Sequence, residues 1–578
     1  MPFRAHLERG ASRIVVAALV ATTPACTGGA TGPTIPPPDE AVSAFLRSWN
    51  ELDFKDMASR LDPRGRRRWR SVRLKRVITG ALEDGRIRDF EVRRAGPVER
   101  DAATALAPYE IEYVSSAAAR PPLLEGELEL ALDEERDGWE LSWSKDALWP
   151  GVERGKRLDV LSRWPRRAPI VDRAGRVLAR GAAPRRRYPF GASAGNAVGH
   201  IGVVRSDDLA AAEALLEPGD LVGASGLEAA YDRRLSGSPA TRLIVEGRRH
   251  EVVAVLGRRR GRPGIPVRTT IDIDVQRAAE QAYGATVGGA VVMDPASGDL
   301  LAVVTSSPFD PGSYVGAEDV SPFNRALSGL YPPGSSMKVV TASAALDAGV
   351  VTPATTVTGP KDYKGVRNFE SGRFGAIDFA TALRLSVNTA FAQVAEKLGS
   401  RRLTSYARAF GFGRDPDMAL GAATSSFPFP EDLYNLMWGS IGQARVLATP
   451  LEMASVAATV ANRGRRMEPR ASFIEAKSGA RVMGRRTAGI MTTLMEAVVA
   501  GGTGVGAQVA GVTVAGKTGT AEVDVAGVRR NHAWFVCFAP SRAPEVAVAL
   551  VSEYGGVGGE VAAPLAARIL QRVLPLVR

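Results

Sequence analysis

Three short motifs in the second half of the chain carry side chains whose types and spacing suit acyl transfer. They are, in chain order, Ser-Ser-Met-Lys at 335–338, Ser-Val-Asn at 386–388 and Lys-Thr-Gly at 517–519. A serine hydroxyl can attack a carbonyl carbon once a neighbouring base takes its proton. The motifs therefore predict covalent catalysis through a serine, with a lysine rather than a histidine as the base.

The first motif places Ser335 and Lys338 where their side chains can meet. It follows a Pro-Pro-Gly turn and opens an apolar stretch at 339–346 that is predicted to be a helix. Residues three apart share a helix face, and free N–H groups near a helix N-terminus favour developing negative charge. Lysine is a poor base at its ordinary pKa of about 10.4, so Lys338 needs burial and a nearby positive charge to act as one.

The second motif, Ser386-Val387-Asn388, lies inside a helical pattern that spans 382–398. Residues two apart point the same way only at a helix start or in a loop, so the motif predicts a break in that pattern. Taken alone, such a motif is most often a cap or a turn.

The third motif has a rival interpretation. Residues 511–518 fit G-x-x-x-x-G-K-[ST], the phosphate-binding loop of nucleotide hydrolases, which requires a strand before the loop and a helix after Thr518. Residues 509–515 are themselves strand-like, and a second strand-like stretch at 534–539 follows instead of a helix. The nucleotide interpretation is therefore rejected.

Together the motifs assign a role to each candidate residue. Ser335 attacks, Lys338 accepts its proton, Ser386 relays a proton to the leaving amine, and Asn388 holds the substrate or Lys338. Lys517 supplies fixed positive charge. Thr518, Gly519 and Thr520 form the predicted substrate-binding segment, in which the two threonine hydroxyls can bind a carboxylate. Backbone N–H groups of Ser335 and of the Lys517 strand would form an oxyanion hole.

Composition narrows the other possibilities. Histidine occurs only at positions 6, 200, 250 and 532, and cysteine only at 26 and 537, so no metal cluster, cofactor or intrachain disulfide is predicted. The net charge of +12 is compatible with an anionic envelope or membrane surface, or with a chain-wide preference for arginine. No nucleic-acid partner is predicted.

The N-terminus predicts export. Three arginines precede the apolar run 14–21, which is too short to span a bilayer, and small residues lead to Cys26. Cys26 stands where a lipoprotein signal places its lipidated cysteine, although Thr23 replaces the usual leucine. An ordinary cleaved signal and an uncleaved anchor are the alternatives for residues 1–26, and the Pro/Gly-rich stretch 27–40 is predicted to be a linker.

The rest of the chain divides into three predicted domains, which makes it a multidomain α+β protein. Residues 41–149 combine a helical stretch with alternating strands, and 150–268 form a second module without a catalytic constellation. Residues 269–578 hold all three motifs. The basic run 64–70 could bind an acidic ligand, but such runs are usually solvated helix faces.

With these motifs the sequence resembles a class B penicillin-binding protein. Flanking segments agree with the resemblance: Asn324-Arg325-Ala326, Ser440-Ile441-Gly442-Gln443, Thr449-Pro450-Leu451, Gly502-Thr503-Gly504, 167–175, Gly226-Leu227-Glu228 and Tyr231-Asp232. The resemblance implies a penicillin-binding/serine β-lactamase-like transpeptidase domain, with an antiparallel sheet flanked by helices and an all-α subdomain. It also implies a β-rich pedestal (dimerisation) domain at 150–268 and an NTF2-like domain at 41–149.

The activity implied by the resemblance is peptidoglycan D,D-transpeptidation. A Ser335 acyl-enzyme would form on stem peptides, D-Ala would be released, and β-lactams would inhibit covalently. The implied oxyanion pair is the backbone of Ser335 and Thr520. The cytoplasmic membrane, through the N-terminus, and cell-wall synthesis proteins are the implied partners.

Alternatives on the same scaffold are a D,D-carboxypeptidase, a β-lactamase or a silent β-lactam sensor. Glu431 and Asn435 have the spacing of a lactamase deacylation motif, but Tyr434 replaces its leucine. Two departures from the family, Ala444 and Cys537 in place of glycines, are expected to narrow the cleft.

Overall fold

The computed structural model describes residues 37–120, 122–150, 156–204, 216, 219–306, 309–316 and 323–577. These residues divide into two compact units. Unit 1 holds residues up to 115, with 121–159 and 245–254, and unit 2 holds 116–120, 160–244 and 255–578. The predicted signal, Cys26 and most of the predicted linker lie outside the described residues.

Unit 1 is an antiparallel sheet with helices on one face. Its elements are α1 (Pro38–Asn50), α2 (Phe54–Ser59), α3 (Pro63–Arg68), α4 (Ser71–Asp84), β1 (Ile87–Arg94), β2 (Glu99–Asp101), β3 (Thr104–Ser115), β4 (Leu123–Asp133) and β5 (Gly138–Ser142). The strand order is β1–β3–β4–β5, with β2 on β3. The α+β prediction for this part of the chain is confirmed.

Alternation along β3 sets the core of unit 1. Tyr109 and Tyr113 are buried while Glu110 and Glu112 between them face outward, because successive strand residues point to opposite faces. Trp49 of α1 packs on Tyr109 with ring centroids 5.7 Å apart. Helix α1 begins at Pro38, inside the stretch assigned to the linker, because proline at the first helical position is already restrained to a helical φ.

Residues 157–268 form mainly short strands, as the pedestal prediction requires. The elements are β6 (Arg157–Arg163), β7 (Ile170–Val171), β8 (Val177–Ala179), α5 (Gly195–Val198), β9 (Ile201–Val203), β10 (Leu221–Gly223), α6 (Gly226–Ala230), α7 (Asp232–Ser236), β11 (Ala240–Glu246), β12 (Val252–Arg259) and β13 (Val267–Arg268). The boundary between the two units falls within β6, β11 and β12.

A buried ion-pair network holds this stretch together within unit 2. The guanidinium groups of Arg167 and Arg186 each donate to Glu228 at 2.7 Å, and Arg167 also donates to Asp232 at 2.7 Å. Arg167, Arg186 and Glu228 are almost completely buried. A buried carboxylate requires such partners, so the segments that resemble the family here meet in one contact network.

The motif-bearing part of unit 2 contains the remaining elements. They are α8 (Ile273–Tyr283), β14 (Gly288–Met293), β15 (Leu300–Thr305), α9 (Arg325–Ser328), α10 (Lys338–Asp347), β16 (Thr356–Gly359), β17 (Asp362–Tyr363), β18 (Val366–Arg367), β19 (Gly375–Asp378), α11 (Phe379–Arg384), α12 (Asn388–Leu398), α13 (Ser400–Phe410), α14 (Leu433–Ser440), α15 (Pro450–Ala461), β20 (Arg465–Met467), β21 (Gly479–Arg481), α16 (Arg485–Gly501), β22 (Ala515–Val525), β23 (Val528–Ala539), β24 (Val546–Ser552) and α17 (Ala562–Val577).

A five-stranded antiparallel sheet, ordered β15–β14–β24–β23–β22, separates two apolar cores. One core contains side chains of α10, α12, α15 and α16, and the other contains side chains of α8 and α17. The predicted antiparallel sheet flanked by helices is confirmed. The strand–turn–strand predicted from residue 288 is also confirmed, as β14 and β15.

One element prediction is confirmed and another needs correction. The helical pattern 382–398 is split into α11 and α12, as the Ser-Val-Asn motif required. The strand predicted for 509–515 begins only at Ala515, because Gly511 takes a left-handed φ of 73° in a turn that brings Val512 back to Val509. In the described part of the chain, no helix has the length and apolar character needed to cross a membrane.

Candidate active site

Ser335 sits in a tight turn at the start of α10. A 3₁₀ helix, Gly334–Met337, runs directly into α10, and Gly334 has a left-handed φ of 53°. The Gly334 N–H donates to the Gly442 carbonyl at 2.9 Å, and the buried Trp534 indole donates to the Pro332 carbonyl at 3.0 Å. These bonds fix the backbone on both sides of the half-buried Ser335.

Lys338 is fully buried and directed at the second motif. Its Nζ donates to Asn388 Oδ1 at 2.6 Å, to the Ser386 carbonyl at 2.6 Å and to Ser386 Oγ at 3.1 Å. Burial, together with the nearby Lys517 ammonium, holds the pKa of Lys338 well below its usual value. The amine is thus suited to accept a proton. Among the described residues, no hydrogen bond joins Lys338 to the Ser335 hydroxyl.

Ser386 owes its position to a break between two helices. It follows α11 with a left-handed φ of 57°, and α12 begins at Asn388. An L-residue pays roughly 1–2 kcal/mol for that conformation, which turns the Ser386 hydroxyl and the Asn388 amide toward the same lysine. The sequence predicted the break, and the structure supplies its geometry.

Lys517 lies on β22 with its side chain fully buried. Its Nζ donates to Ser386 Oγ at 2.9 Å and to the Thr518 carbonyl at 2.9 Å. Burial lowers the pKa of Lys517 to about 7. No helix follows Thr518, because β22 continues to Val525, so the phosphate-loop interpretation is wrong.

The backbone at 519–520 lies directly against the Ser335 turn. A Cβ on Gly519 would stand 2.7 Å from the Pro333 carbonyl oxygen, and one on Gly334 would stand 2.5 Å from the Thr520 carbonyl oxygen. Only glycine permits this approach at either position. The contact brings the backbone of Thr520 next to the turn that holds Ser335.

Two neighbouring segments hold the side chains of this strand. Thr518 Oγ1 hydrogen-bonds Thr503 Oγ1 at 2.7 Å, and Thr520 Oγ1 accepts the Gly558 N–H at 3.1 Å. Trp534 and Gly558 were not sequence candidates. Trp534 lies inside an apolar strand that carries no motif, whereas the glycine-rich run 555–559 was a weak signal of close backbone approach.

Cys537 does not line the cleft, contrary to the expectation from sequence. On β23 it pairs with Gly516, whereas the adjacent Val536 pairs with Lys517. Because directly paired residues share a face, Cys537 points into the core of α8 and α17, on the side away from Lys517. Burial also raises the pKa of its thiol well above the usual range.

Ala444 and the lactamase-like spacing have local structural explanations. Ala444 is exposed, with a left-handed φ of 58°, a conformation that favours the glycine usual in the family. Asp432 caps α14 by accepting the Asn435 N–H at 2.7 Å, while Glu431 is exposed. The Glu431–Asn435 spacing therefore belongs to a helix cap.

A metal site requires several side chains that can together coordinate the ion. Among the described residues, no group of three or more His, Cys, Asp or Glu side chains could hold a metal ion. The chemistry available from the described side chains is acyl transfer by a serine with two buried lysines.

Three protein-family models match the chain. The penicillin binding protein transpeptidase domain matches residues 288–571, and the penicillin-binding protein dimerisation domain matches 180–269. The NTF2-like N-terminal transpeptidase domain matches 37–156.

Curated relatives carry one shared description, peptidoglycan D,D-transpeptidase. PbpA of Mycobacterium tuberculosis is 34% identical in an alignment of 356 positions that covers 53% of this chain and 72% of that protein. MrdA of Acinetobacter baumannii is 30% identical in an alignment of 433 positions that covers 65% of this chain and 64% of that protein. The chain thus spans a little less than two thirds of the length of that MrdA.

Solved structures show the same fold. Pseudomonas aeruginosa PBP2, solved in complex with WCK 5153, gives a TM-score of 0.62 at 30% identity, with 72% of this chain and 96% of that chain covered. PBPA from M. tuberculosis gives a TM-score of 0.57 at 31% identity, with 71% and 98% covered. A ceftriaxone acyl-enzyme of penicillin-binding protein A from M. tuberculosis gives 0.58 at 28% identity, with 71% and 98% covered.

Proposed function

The chain belongs to the class B penicillin-binding proteins, and on that premise we propose that it is a peptidoglycan D,D-transpeptidase whose nucleophile is Ser335. One observation carries the proposal: the Ser386 hydroxyl accepts hydrogen bonds from both Lys338 and Lys517 beside the Ser335 turn. A serine, a buried amine with a lowered pKa and a relaying hydroxyl are the parts that acyl transfer needs.

Acylation begins at Ser335. Its Oγ attacks the carbonyl carbon between the two terminal D-Ala residues of a stem peptide, and Lys338 accepts the hydroxyl proton. Collapse of the tetrahedral intermediate breaks the C–N bond. Ser386 passes a proton from the lysine pair to the departing D-Ala nitrogen. The proton taken from Ser335 is thereby replaced on the leaving amine, and an ester remains on Ser335.

The oxyanion is assigned to the backbone N–H groups of Ser335 and Thr520. Ser335 is the second residue of a 3₁₀ helix, where N–H groups lack helical acceptors. The close approach of Gly519 to Pro333 brings the Thr520 backbone to the same place. Each such donor contributes roughly 3–4 kcal/mol to transition-state stabilisation.

Lys517 and the segment 518–520 are assigned to the substrate carboxylate. The Lys517 ammonium supplies positive charge, and the hydroxyls of Thr518 and Thr520 lie on the same strand. A bound carboxylate favours the charged lysine and offsets the burial that lowers its pKa.

The second half-reaction transfers the acyl group to an amine of a neighbouring stem peptide. The neutral Lys338 takes the amine proton as nitrogen attacks the ester, and Ser335 regains its hydrogen. β-Lactams enter the same first step and remain on Ser335 as esters. Transfer to water instead would make the protein a carboxypeptidase or β-lactamase.

We place the protein outside the cytoplasmic membrane, held by residues 1–26 as a lipoprotein on Cys26 or as an anchor. The basic and apolar N-terminal pattern supports this placement, as does the wall substrate of the curated relatives. We further assign 41–149, 150–268 and 269–578 to the NTF2-like, pedestal and transpeptidase domains, with cell-wall synthesis proteins as partners.

Labelling with a fluorescent penicillin tests the nucleophile. The wild-type chain is expected to form a stable adduct on the peptide that contains Ser335, and Ser335→Ala is expected to form none. Ser336→Ala is the matched control, because Ser336 is fully buried and its hydroxyl donates to the Pro333 carbonyl at 2.6 Å. Absence of any wild-type adduct would reject the proposal, and rapid drug turnover would favour a β-lactamase.

A further inference from the structure

Unit 1 carries a dense group of unpaired cations on its helices. We name as the basic helix face the exposed side chains Arg64, Arg67, Arg68, Arg70, Arg73, Lys75 and Arg76. None of them forms an ion pair with a described acidic side chain. The neighbouring Arg66 is different, because it is half-buried and paired with Glu140.

The backbone around this face is well held, and two of its cations lie against a buried ring. Trp69, which lies between α3 and α4 in the chain, is buried. The guanidinium groups of Arg68 and Arg73 each lie 5.2 Å from its ring centroid. Leu74 and Ile78 bury the opposite side of α4. Val72, in the middle of the face, is 71% exposed, an apolar side chain among cations.

The outer face of the sheet has the opposite charge. We name as the acidic sheet face the exposed or half-buried side chains Glu91, Glu110, Glu112, Glu125, Glu127 and Glu129. Glu110 stands directly opposite Glu125, and Glu112 directly opposite Glu91. Arg93 is an exception on this face, because it stands opposite Glu110 on β1 and is ion-paired with it. The Glu110–Glu125 and Glu112–Glu91 pairs set like charges in register, which weakens a sheet.

Unit 1 is therefore charge-separated across its two layers. Its buried aromatic layer, which includes Trp49 and Tyr109, lies between the helices and the sheet. A body of this kind turns its basic side to an anionic surface and its acidic side away from it. The separation thus points to a flat partner rather than to a small ligand.

We propose that the basic helix face binds the outer, anionic phospholipid surface of the membrane across which the chain is exported. The proposal rests on the extracytoplasmic placement given above. Residues 27–36 lie between Cys26 and the first described residue, and ten residues span at most about 35 Å. A tether of that length keeps unit 1 near the bilayer, so individually weak contacts suffice.

The expected strength follows from the number of cations. Each lysine or arginine close to an anionic bilayer strengthens binding by about fivefold. At physiological salt the attraction decays over a distance of roughly 8 Å, so only cations close to the surface contribute. Val72 adds a small apolar contact with the interface. Binding should therefore require anionic lipid and weaken as salt rises.

Vesicle co-sedimentation tests the proposal on the full chain with Cys26→Ser, which prevents acylation of that cysteine. The probes are phosphatidylcholine vesicles with and without roughly one third phosphatidylglycerol. The variant combines Arg64→Gln, Arg67→Gln, Arg70→Gln and Arg76→Gln, and leaves the arginines stacked on Trp69 in place. Its affinity for the anionic vesicles is expected to fall about tenfold or more.

A control of equal charge change uses exposed arginines of unit 2. It combines Arg401→Gln, Arg402→Gln, Arg408→Gln and Arg486→Gln, none of which has a described acidic partner. This variant is expected to bind as the unaltered chain does. Equal loss in both variants would overturn the proposal, because binding would then follow net charge alone.

Two further readouts complete the test. Tight binding of soluble polyphosphate together with weak binding of anionic vesicles would also overturn the proposal, in favour of an anionic polymer. Penicillin acylation of Ser335 should be unchanged in both arginine variants, which shows that the transpeptidase site is intact. It also separates a failure of this inference from a failure of the transpeptidase assignment.

Discussion

The side-chain amines of Lys338 and Lys517 donate to one shared acceptor, the Ser386 hydroxyl, at 3.1 and 2.9 Å. Both amines are fully buried, and burial lowers the pKa of each. Two adjacent buried ammonium groups are costly, so one amine is readily neutral while the other carries the charge. The shared hydroxyl thereby links a base to a cation.

The pH dependence of acylation should report this pair. Lys517 must be charged to attract a carboxylate, and its pKa of about 7 means that the charge is lost as pH rises through that value. The second-order rate constant of acylation, measured by stopped-flow penicillin binding, should therefore fall as the pH rises above about 7.

Lys517→Arg is the matched variant for this alkaline limb, the fall in the acylation rate above neutral pH, because arginine stays charged throughout the accessible pH range. The absolute rate is expected to fall, since a longer side chain must fit the buried position, but the alkaline limb should disappear. An alkaline limb at the same pH in Lys517→Arg would assign it to another group.

Two substitutions at Ser386 distinguish the role of its hydroxyl from the cost of its left-handed backbone conformation. Ser386→Ala and Ser386→Gly both remove the shared acceptor, so acylation is expected to fall roughly 10²–10⁴-fold in each. Glycine tolerates the φ of 57°, so Ser386→Gly should be about 1 kcal/mol more stable to unfolding than Ser386→Ala. Near-normal acylation in either variant would remove Ser386 from the proton path.

Ala444 gives a prediction about stability alone. Ala444→Gly should raise the free energy of unfolding by about 1 kcal/mol in urea denaturation, because it relieves a left-handed alanine on the surface. Ala500→Gly is the control, since Ala500 is exposed in α16 and the same change there should lower stability by about 1 kcal/mol. A loss of stability at both positions would show that the Ala444 backbone is not strained.

Cys537 should matter for packing and not for catalysis. Cys537→Ala leaves a small gap beside α17 and is expected to cost about 1 kcal/mol of unfolding free energy, with acylation changed less than about twofold. Val536→Ala, one residue away on the face of Lys517, is the comparison and should slow acylation. Faster or slower acylation in Cys537→Ala alone would place the thiol in the cleft after all.

The residue types of the candidate site can be picked out from the sequence, whereas their mutual geometry cannot. Ser335, Lys338, Ser386 and Lys517 could be named as candidates because each lies in a short local motif, and the order of the motifs can be read without knowledge of the fold. The side of the sheet on which Cys537 lies was mispredicted, because it depends on the register between β22 and β23, which the pattern of a single strand does not encode.

Other features arise only from tertiary contacts. The left-handed Ser386 and the approach of Gly519 to Pro333 are set by elements far apart in the chain. The layers of unit 1 were predictable from alternation along β3, whereas the unpaired state of its arginines required the positions of the acidic side chains.

The most direct test of the account is the fate of the acyl group on Ser335. The chain is incubated with a stem-peptide thioester ending in D-Ala and with rising concentrations of an amine acceptor, and products are separated by mass. We expect a Ser335 ester and a transfer product that increases with amine concentration while the hydrolysed product decreases. Hydrolysed product alone, at every amine concentration, would contradict transpeptidation, and the same products from Ser335→Ala would contradict the nucleophile.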